Sequence, residues 1–150
     1  MIQDIRNFLQ LNENLLSSGM PTADQMKSVA EAGVKVVISL VPFDPEQDLA
    51  DEDKLAGSLG MKYINIPVDW EAPTRRNLDD FIKAMDENQR SKILVHCRAN
   101  YRATGFITLY RVKQLGWKAD EAFKDLRRIW NPDEYPIWKK FIEENLNIRR

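Results

Sequence analysis

Residues 92–105 read KILVHCRANYRATG, and this stretch decides the fold. Its first half is an apolar run typical of a buried parallel strand, which ends at His96 and at Cys97, the single cysteine of the chain. A short loop with Arg98 and Arg102 follows, and an amphipathic helical pattern begins after it. This order predicts the central strand of an α/β sheet, with the loop at the carboxyl end of the strand, where such sheets bind ligands.

The groups around Cys97 predict a site for an anion. A cysteine that lies just ahead of a helix faces unpaired backbone N–H groups and the positive end of the helix dipole. Arg98 and Arg102 add positive charge, so the nucleophilic thiolate is favoured over the thiol. The same donors would hold a tetrahedral oxyanion such as phosphate or sulfate. The competing interpretation is a small buried cysteine beside two surface arginines.

The rest of the chain alternates between strand and helix patterns. We expect strands at 14–19 on the sheet edge, at 34–41, at 61–68 near the sheet margin, and at 93–96 in the centre. We expect helices at 2–9, 22–32, 48–59, from Thr74 onward, at 104–115, at 119–129 and from about 136 onward. This alternation predicts an α/β fold with a mainly parallel sheet of four to five strands and helices on both faces.

Composition narrows the class of protein. A chain of 150 residues with a formal net charge of −1 predicts one domain over residues 1–150, without general attraction to nucleic acid or anionic membranes. One cysteine cannot form an internal disulfide, the segment MIQDIRNFLQ is unlike a secretory signal, and no apolar run is as long as a membrane span. We therefore expect a cytoplasmic location. No second His or Cys has metal-ligand spacing, so we expect no metal and no cofactor.

The central loop also carries a family resemblance. His96, Cys97, the arginine-bearing loop and Thr104 resemble the signature H-C-x-x-x-x-x-R-[ST] of cysteine-dependent phosphatases of the protein-tyrosine and dual-specificity class. The segments SSGMPTADQM, GVKVVISL and YINIPVDWEAPT resemble a small bacterial branch of that superfamily, in which some phosphatase-like domains are fused to β-lactamase-like hydrolases. The resemblance extends over about residues 10–115.

This resemblance implies a mechanism and a set of site residues. Cys97 would attack phosphorus and form a phosphocysteine, while an aspartic acid protonates the leaving group of a phosphoprotein or small phosphorylated molecule. We assign the acid to Asp69, because it follows the preceding strand and adjacent parallel strands would bring it to the same sheet edge as Cys97. Glu71 is the second candidate. The phosphate would be held by Arg98, Ala99, Asn100, Tyr101, Arg102, Ala103 and Thr104.

The loop departs from the signature by one position. The signature places its arginine six residues after the cysteine, whereas Arg102 is the fifth residue after Cys97. If the loop keeps its length, Asn100, which tolerates left-handed backbone, replaces the usual glycine and Thr104 aligns with the signature hydroxyl. If the loop has lost a residue, Ala103 lies where the hydroxyl belongs. Either alignment moves the guanidinium, and a displacement of about 1 Å can lower a rate on the order of 100-fold.

Several other side chains carry weaker predictions. His96 is expected to support the nucleophile through a hydrogen bond rather than to act as a general base. Thr104 would either stabilise the departing thiolate or only cap the helix. Arg75 and Arg76 would either rim the pocket or lie in solvent at the start of their helix. Packing is the expected role of the aromatic residues Trp117, Trp130, Tyr135 and Trp138.

Three functions remain open from the sequence. The leading hypothesis is a phosphatase that hydrolyses a phosphate monoester through Cys97, with turnover limited by the position of Arg102. The second is a non-catalytic module that binds phosphate or a phosphopeptide, which the displaced arginine motivates. The third is a rhodanese-like sulfurtransferase, which also presents a cysteine in an anion-binding loop but has no need of the Asp69 loop.

Overall fold

A computed structural model describes residues 1–147. Five strands form one sheet: β1 (Leu9–Asn12), β2 (Leu15–Ser18), β3 (Val36–Ser39), β4 (Lys62–Asn65) and β5 (Ile93–His96). The described helices are α1 (Ala23–Glu31), α2 (Glu52–Ser58), α3 (Arg75–Glu87), α4 (Tyr101–Lys113), α5 (Ala119–Arg127) and α6 (Pro136–Asn147), with 3-10 turns at Ile2–Asp4 and Pro132–Glu134. Within residues 1–147, no helix is both long and apolar enough to span a bilayer.

Strand β5 is the centre of the sheet, as predicted. The strand order is β1-β2-β5-β3-β4, so β5 lies between β2 and β3 and pairs with both in parallel. His96, its last residue, pairs with Ser18 of β2 and with Ser39 of β3. Strand β1 is antiparallel to β2, and β4 forms the opposite edge. The expected mainly parallel sheet is confirmed, and the carboxyl ends of β2 to β5 meet at one edge.

The N-terminal segment differs from the prediction. Residues 2–9 do not form a helix, because a single 3-10 turn covers Ile2–Asp4 and Leu9 already begins β1. Asn7 has a positive φ of 52°, which ends any helical path, and Leu9 gains more by being buried against β2. Strand β2 is therefore not the edge strand we expected, since β1 pairs with its outer side.

The side chains of β5 alternate between two hydrophobic cores. Ile93 and Val95 belong to the larger core, which also holds residues of α3, α4 and α6. Leu94 belongs to the smaller core, together with residues of α1 and α2. Helices therefore cover both faces of the sheet, as predicted. The alternation places His96 on the α2 side and Cys97 on the α4 side.

The helix starts agree with the sequence where a capping residue marks them. Thr22 Oγ1 accepts the N–H of Gln25 at 3.1 Å, and Thr74 Oγ1 accepts the N–H of Asn77 at 3.0 Å. Helix α2 has no such cap, and it begins at Glu52 rather than at residue 48. Acidic composition alone therefore predicted a longer helix than the chain forms.

Helix α4 begins at Tyr101 rather than at residue 104. Its eleven residues from Arg102 to Val112 are buried, so the helix is enclosed on all sides and is not the amphipathic helix that we expected. The early start follows from Asn100, whose positive φ of 69° turns the chain into the first helical turn. Arg102 therefore lies in the first turn of α4 and not in a free loop.

Candidate active site

Cys97 lies at the base of a cavity at the carboxyl end of β5. The residue is 1% exposed, and its N–H donates to the carbonyl of Ser18 at 3.2 Å. The cavity has a volume of about 260 Å³. Its walls are formed by Trp70, Cys97, Arg98, Ala99, Tyr101, Arg102 and Tyr135. Four of the seven predicted phosphate-binding residues therefore line it.

Asn100 shapes the loop without lining the cavity. Its side chain is buried, and Nδ2 donates to the carbonyl of Asn7 at 2.7 Å and to Ser17 Oγ at 3.0 Å. These bonds hold the left-handed backbone at the position where we expected a substitute for glycine. The first hydrogen bond of α4 runs from the N–H of Thr104 to the carbonyl of Asn100, at 3.2 Å. The amides of residues 101–103 thus have no partner within the helix and are available to an anion.

Gly19 brings the end of β2 close to the same loop. The N–H of Met20 donates to the carbonyl of Arg98 at 3.1 Å. A Cβ at Gly19 would lie 2.4 Å from that carbonyl oxygen, which is closer than any side chain can come. The loop therefore keeps this position only while residue 19 is glycine.

Arg102 is the loop arginine that remains available to a ligand. It is 5% exposed, and its Nη1 donates to the carbonyl of Val68 at 2.8 Å. Among residues 1–147, Val68 is its one hydrogen-bond acceptor, so most of the five N–H groups of the guanidinium are left for an anion. Arg102 also lines a second cavity beside the first.

Arg98 is held by an aspartate. Its Nε and Nη2 donate to the two carboxylate oxygens of Asp48 at 2.9 and 2.8 Å, and Nη2 also donates to the carbonyl of Pro42 at 2.8 Å. The hydrogen bonds to Asp48 raise the pKa of Arg98 above its usual value, and the charges of Asp44 and Cys97 add to the effect. Arg98 thus contributes positive charge to the wall while its guanidinium is directed toward Asp48.

Asp69 lies at the same edge of the sheet as Cys97. Strand β3 separates β4 from β5, so the two strands are not adjacent as we expected, but their parallel ends bring Asp69 to a second cavity of about 500 Å³. Asp69 is exposed, and its Oδ1 accepts the N–H of Glu71 at 2.9 Å. Glu71 itself lines neither cavity. The two cavities share Trp70, Arg98 and Arg102.

His96 links the strand that precedes Cys97 to α2. Its imidazole is fully buried, with Nδ1 3.2 Å from the carbonyl oxygen of Cys97 and Nε2 2.5 Å from Oε2 of Glu52. Because a carbonyl only accepts, the contact at Nδ1 is a hydrogen bond in the tautomer that carries its proton on Nδ1. Burial, and then the charge of Glu52, raises the pKa of Tyr63 to about 12, which keeps its hydroxyl a donor toward Glu52.

Glu52 and Asp48 are site residues that the sequence did not reveal. Both lie in or beside a polar, acidic segment, where nothing distinguishes a buried carboxylate from a solvated one. Asp48 contacts the residue after Cys97, and Glu52 contacts the residue before it. Sequence separations of 50 and 44 residues put these contacts beyond any local pattern.

Besides Asn100, two residues predicted to bind phosphate, Thr104 and Ala103, do not line the cavity, and neither do the predicted rim residues Arg75 and Arg76. The Thr104 hydroxyl donates to the carbonyl of Asn100 at 2.7 Å and accepts the indole N–H of Trp130 at 2.9 Å. Thr104 is also not the helix cap, because Asn100 occupies that position. Ala103 is fully buried in the larger core. Arg75 pairs with Asp79 at 2.9 Å, and neither it nor Arg76 lines the two cavities.

Aromatic rings form much of the cavity wall. Tyr101 stacks on Trp130 with ring centroids 5.0 Å apart, and Trp70 stacks on Trp138 at 5.2 Å. Trp130 and Trp138 are buried packing residues, as expected, whereas Tyr135 also lines the Cys97 cavity. Trp117 lies apart, 39% exposed. Trp70 was missed, although it follows Asp69 directly in the sequence.

The fold and the loop together define a class of protein. A central parallel strand leads to a cysteine and then to an arginine-bearing helix start, which is the arrangement that the resemblance to cysteine-dependent phosphatases implied. The family model of the polymorphic toxin system DSP-PTPase phosphatases, Tc-R-P, matches residues 4–113, and the chain belongs to this family. The predicted membership of the cysteine-dependent phosphatase superfamily is therefore confirmed.

Related proteins agree with this assignment. The β-lactamase hydrolase-like protein of Xylella fastidiosa strain Temecula1 is 30% identical over 116 residues, which cover 75% of this chain and 27% of that protein. The chain therefore spans little more than a quarter of that relative. A DUF442 protein from Shewanella putrefaciens CN-32 is 39% identical with a TM-score of 0.86, covering 96% of this chain and 93% of its own.

A more distant structure shows the fold alone. P. aeruginosa TpbA, solved as a variant in complex with phosphotyrosine, is 15% identical to this chain with a TM-score of 0.73. The match covers 95% of this chain and 90% of that one. The α/β architecture is therefore shared well beyond the range of close sequence similarity.

Proposed function

We propose that the protein hydrolyses a phosphate monoester through a phosphocysteine on Cys97. The observation that carries this proposal is the meeting of three groups at one sheet edge: Cys97 in the first cavity, Asp69 in the second and Arg102 on their shared wall. They supply the nucleophile, the proton donor and the oxyanion ligand that phosphoryl transfer to cysteine needs. The substrate would be a phosphoprotein or a small phosphorylated molecule.

In the first step, the thiolate of Cys97 attacks phosphorus. The S–P bond forms as the P–O bond to the leaving group breaks, and the amides of residues 101–103 and Arg102 hold the non-bridging oxygens. The leaving oxygen takes a proton from Asp69. Because Oδ1 of Asp69 already accepts the N–H of Glu71, that proton would be carried on Oδ2.

In the second step, water attacks the phosphorus of the phosphocysteine. Asp69, now a carboxylate, takes a proton from the water as the new P–O bond forms. The S–P bond breaks and its electrons return to the sulfur of Cys97. Release of inorganic phosphate restores the starting thiolate and the protonated Asp69.

One observation favours a phosphate-binding module without turnover as the second candidate. Both arginines of the loop already donate to protein acceptors, Arg98 to Asp48 and Arg102 to Val68. If the bond to Val68 keeps the guanidinium too far from the phosphoryl group, the anion would bind without reacting. A sulfurtransferase is less well supported, because it would leave Asp69 without a purpose beside the site.

The test compares the wild type with Cys97→Ser on an aryl phosphate. We expect turnover in the wild type, none in C97S, and a phosphoryl adduct on Cys97 when a wild-type reaction is quenched in acid and analysed by mass spectrometry. Equal residual activity in both proteins would remove Cys97 as the nucleophile. Phosphate that protects Cys97 from alkylation without any adduct would favour the binding module, and a persulfide formed with thiosulfate would favour the sulfurtransferase.

A further inference from the structure

The residues on either side of Asp69 both have hydrogen-bonded carbonyls. The carbonyl of Val68 accepts Nη1 of Arg102 at 2.8 Å, and the carbonyl of Trp70 accepts the indole N–H of Trp138 at 2.7 Å. The first donor lies in the first turn of α4, whereas the second lies on α6. Because each carbonyl is fixed, the backbone on both sides of Asp69 is fixed as well.

Trp138 is a firm anchor for this bond. Its side chain is fully buried, and its ring stacks on Trp70 at an interplanar angle of 23°. Phe106 and Phe141 pack against the same ring at centroid distances of 5.9 and 5.6 Å. A buried indole N–H needs an acceptor, and here the carbonyl of Trp70 supplies it. A shift of this peptide would therefore leave the indole unpaired.

We infer that Trp138 is a positioning residue for Asp69. This inference rests on the proposed function, since it assumes that Asp69 donates the proton to the leaving group. The carboxyl of an exposed aspartate in a loop would otherwise sample many orientations, and proton donation requires hydrogen-bond reach of the leaving oxygen. Trp138 lies on α6, beyond residues 4–113, so a helix outside the family match positions the proposed proton donor.

The test compares substrates whose leaving groups differ in how much they need to be protonated. A nitrophenolate leaves readily without protonation, whereas an alkoxide does not, so loss of the acid slows alkyl phosphates far more than nitrophenyl phosphate. We expect Trp138→Phe, which keeps a buried ring but removes the N–H, to lower kcat/KM about tenfold for an alkyl phosphate and less than about twofold for nitrophenyl phosphate. Affinity for inorganic phosphate should not change, because the loop holds that anion.

Trp130→Phe is the matched control. It removes an indole N–H from the same aromatic cluster, but that N–H donates to Thr104 and not to the Asp69 loop. We expect any loss of activity in W130F to be equal for the two substrates. Equal losses in W138F would overturn the inference, because they would indicate general loosening of the cluster.

Two further measurements separate this inference from the proposed function. Asp69→Asn should reproduce the substrate dependence of W138F more strongly, and the double variant should be no worse than D69N on the alkyl phosphate. If D69N shows no such dependence, the proposed acid fails and the inference fails with it. In the wild type, the indole N–H of Trp138 should exchange with solvent far more slowly than that of Trp117. Rapid exchange would overturn the anchor even if W138F did not fold.

Discussion

Two segments hold the Cys97 loop in place, and they do so by different means. Residues 42–52, which we call the carboxylate segment, contact His96 and Arg98 through the side chains of Glu52 and Asp48, with one further bond to the carbonyl of Pro42. Residues 68–70, which we call the carbonyl segment, contact it through a backbone oxygen and aromatic rings. The first segment fixes the residues on either side of Cys97. The second joins Arg102 to the loop that carries Asp69.

The two segments differ in the kind of interaction that they use. The carboxylate segment uses charged side chains, so its bond to Arg98 depends on ionic strength. The carbonyl segment uses neutral acceptors and packed rings, so its contacts with Arg102 and Tyr101 are insensitive to ionic strength.

The largest effect should follow from removing Arg102, the partner of the carbonyl segment. We expect Arg102→Ala to lower kcat/KM for an aryl phosphate about 100- to 1,000-fold, because it removes the proposed oxyanion ligand together with the bond to Val68. Arg98→Ala should lose about tenfold or less, since that guanidinium is already directed toward Asp48. Steady-state kinetics of the two variants rank the arginines. A greater loss in R98A would show that the roles are reversed.

A smaller effect should follow from breaking the carboxylate segment at Glu52. Glu52→Ala leaves the buried imidazole of His96 without its partner, so we expect the free energy of unfolding to fall by about 3 kcal/mol. Alkylation of Cys97 by iodoacetamide should also slow, because the residue before it is no longer fixed. Urea denaturation and alkylation rates measure the two effects. Glu52→Gln, which keeps the shape of the side chain, is the control and should lose less of both.

Releasing Arg98 should have a milder effect. Asp48→Asn removes the charge that holds this guanidinium, and the pair is partly exposed at its arginine end. We expect a loss of about 1 kcal/mol in unfolding free energy and a change of about fivefold or less in kcat/KM. A loss of more than 100-fold would mean that Asp48, and not only Arg98, takes part in catalysis.

A change in ionic strength should produce the smallest effect, and it should act on the carboxylate segment but not on the carbonyl segment. Raising sodium chloride from about 0.05 M to about 0.5 M should weaken the bond between Arg98 and Asp48 by less than about 0.5 kcal/mol. Unfolding of the wild type should therefore show a slightly greater salt dependence than unfolding of D48N. Unfolding of W138F should show the same salt dependence as unfolding of the wild type. A reduced salt dependence in W138F, like that expected for D48N, would contradict the distinction between the two segments.

Local sequence signals predicted the centre of this fold well. The apolar strand before Cys97, the capping residues Thr22 and Thr74 and the loop position of Asp69 each follow from neighbouring residues, and the structure shows them where expected. Asn100 was identified as a residue able to take left-handed backbone, and its φ of 69° agrees. These features depend on a few consecutive residues, which is why a sequence reveals them.

Features that depend on distant contacts were not predicted. Residues 2–9 have helical spacing, but Leu9 pairs with β2 instead. The hydroxyl of Thr104, which was predicted to bind phosphate, accepts the indole N–H of Trp130. The partners of Arg98 and His96 come from a segment more than 40 residues away. Only the folded chain shows which of several acids is buried, because the choice is made by packing and not by propensity.

Gly19 sets a limit on how this chain can vary. Its missing side chain leaves room for the carbonyl oxygen of Arg98, 79 positions later, and for that of Arg6, so backbone from two other segments constrains this position. In a library of all single substitutions, position 19 should be among the least tolerant, even though it makes no contact with a ligand. Selection for function would then act on a residue that is not itself one of the proposed catalytic groups.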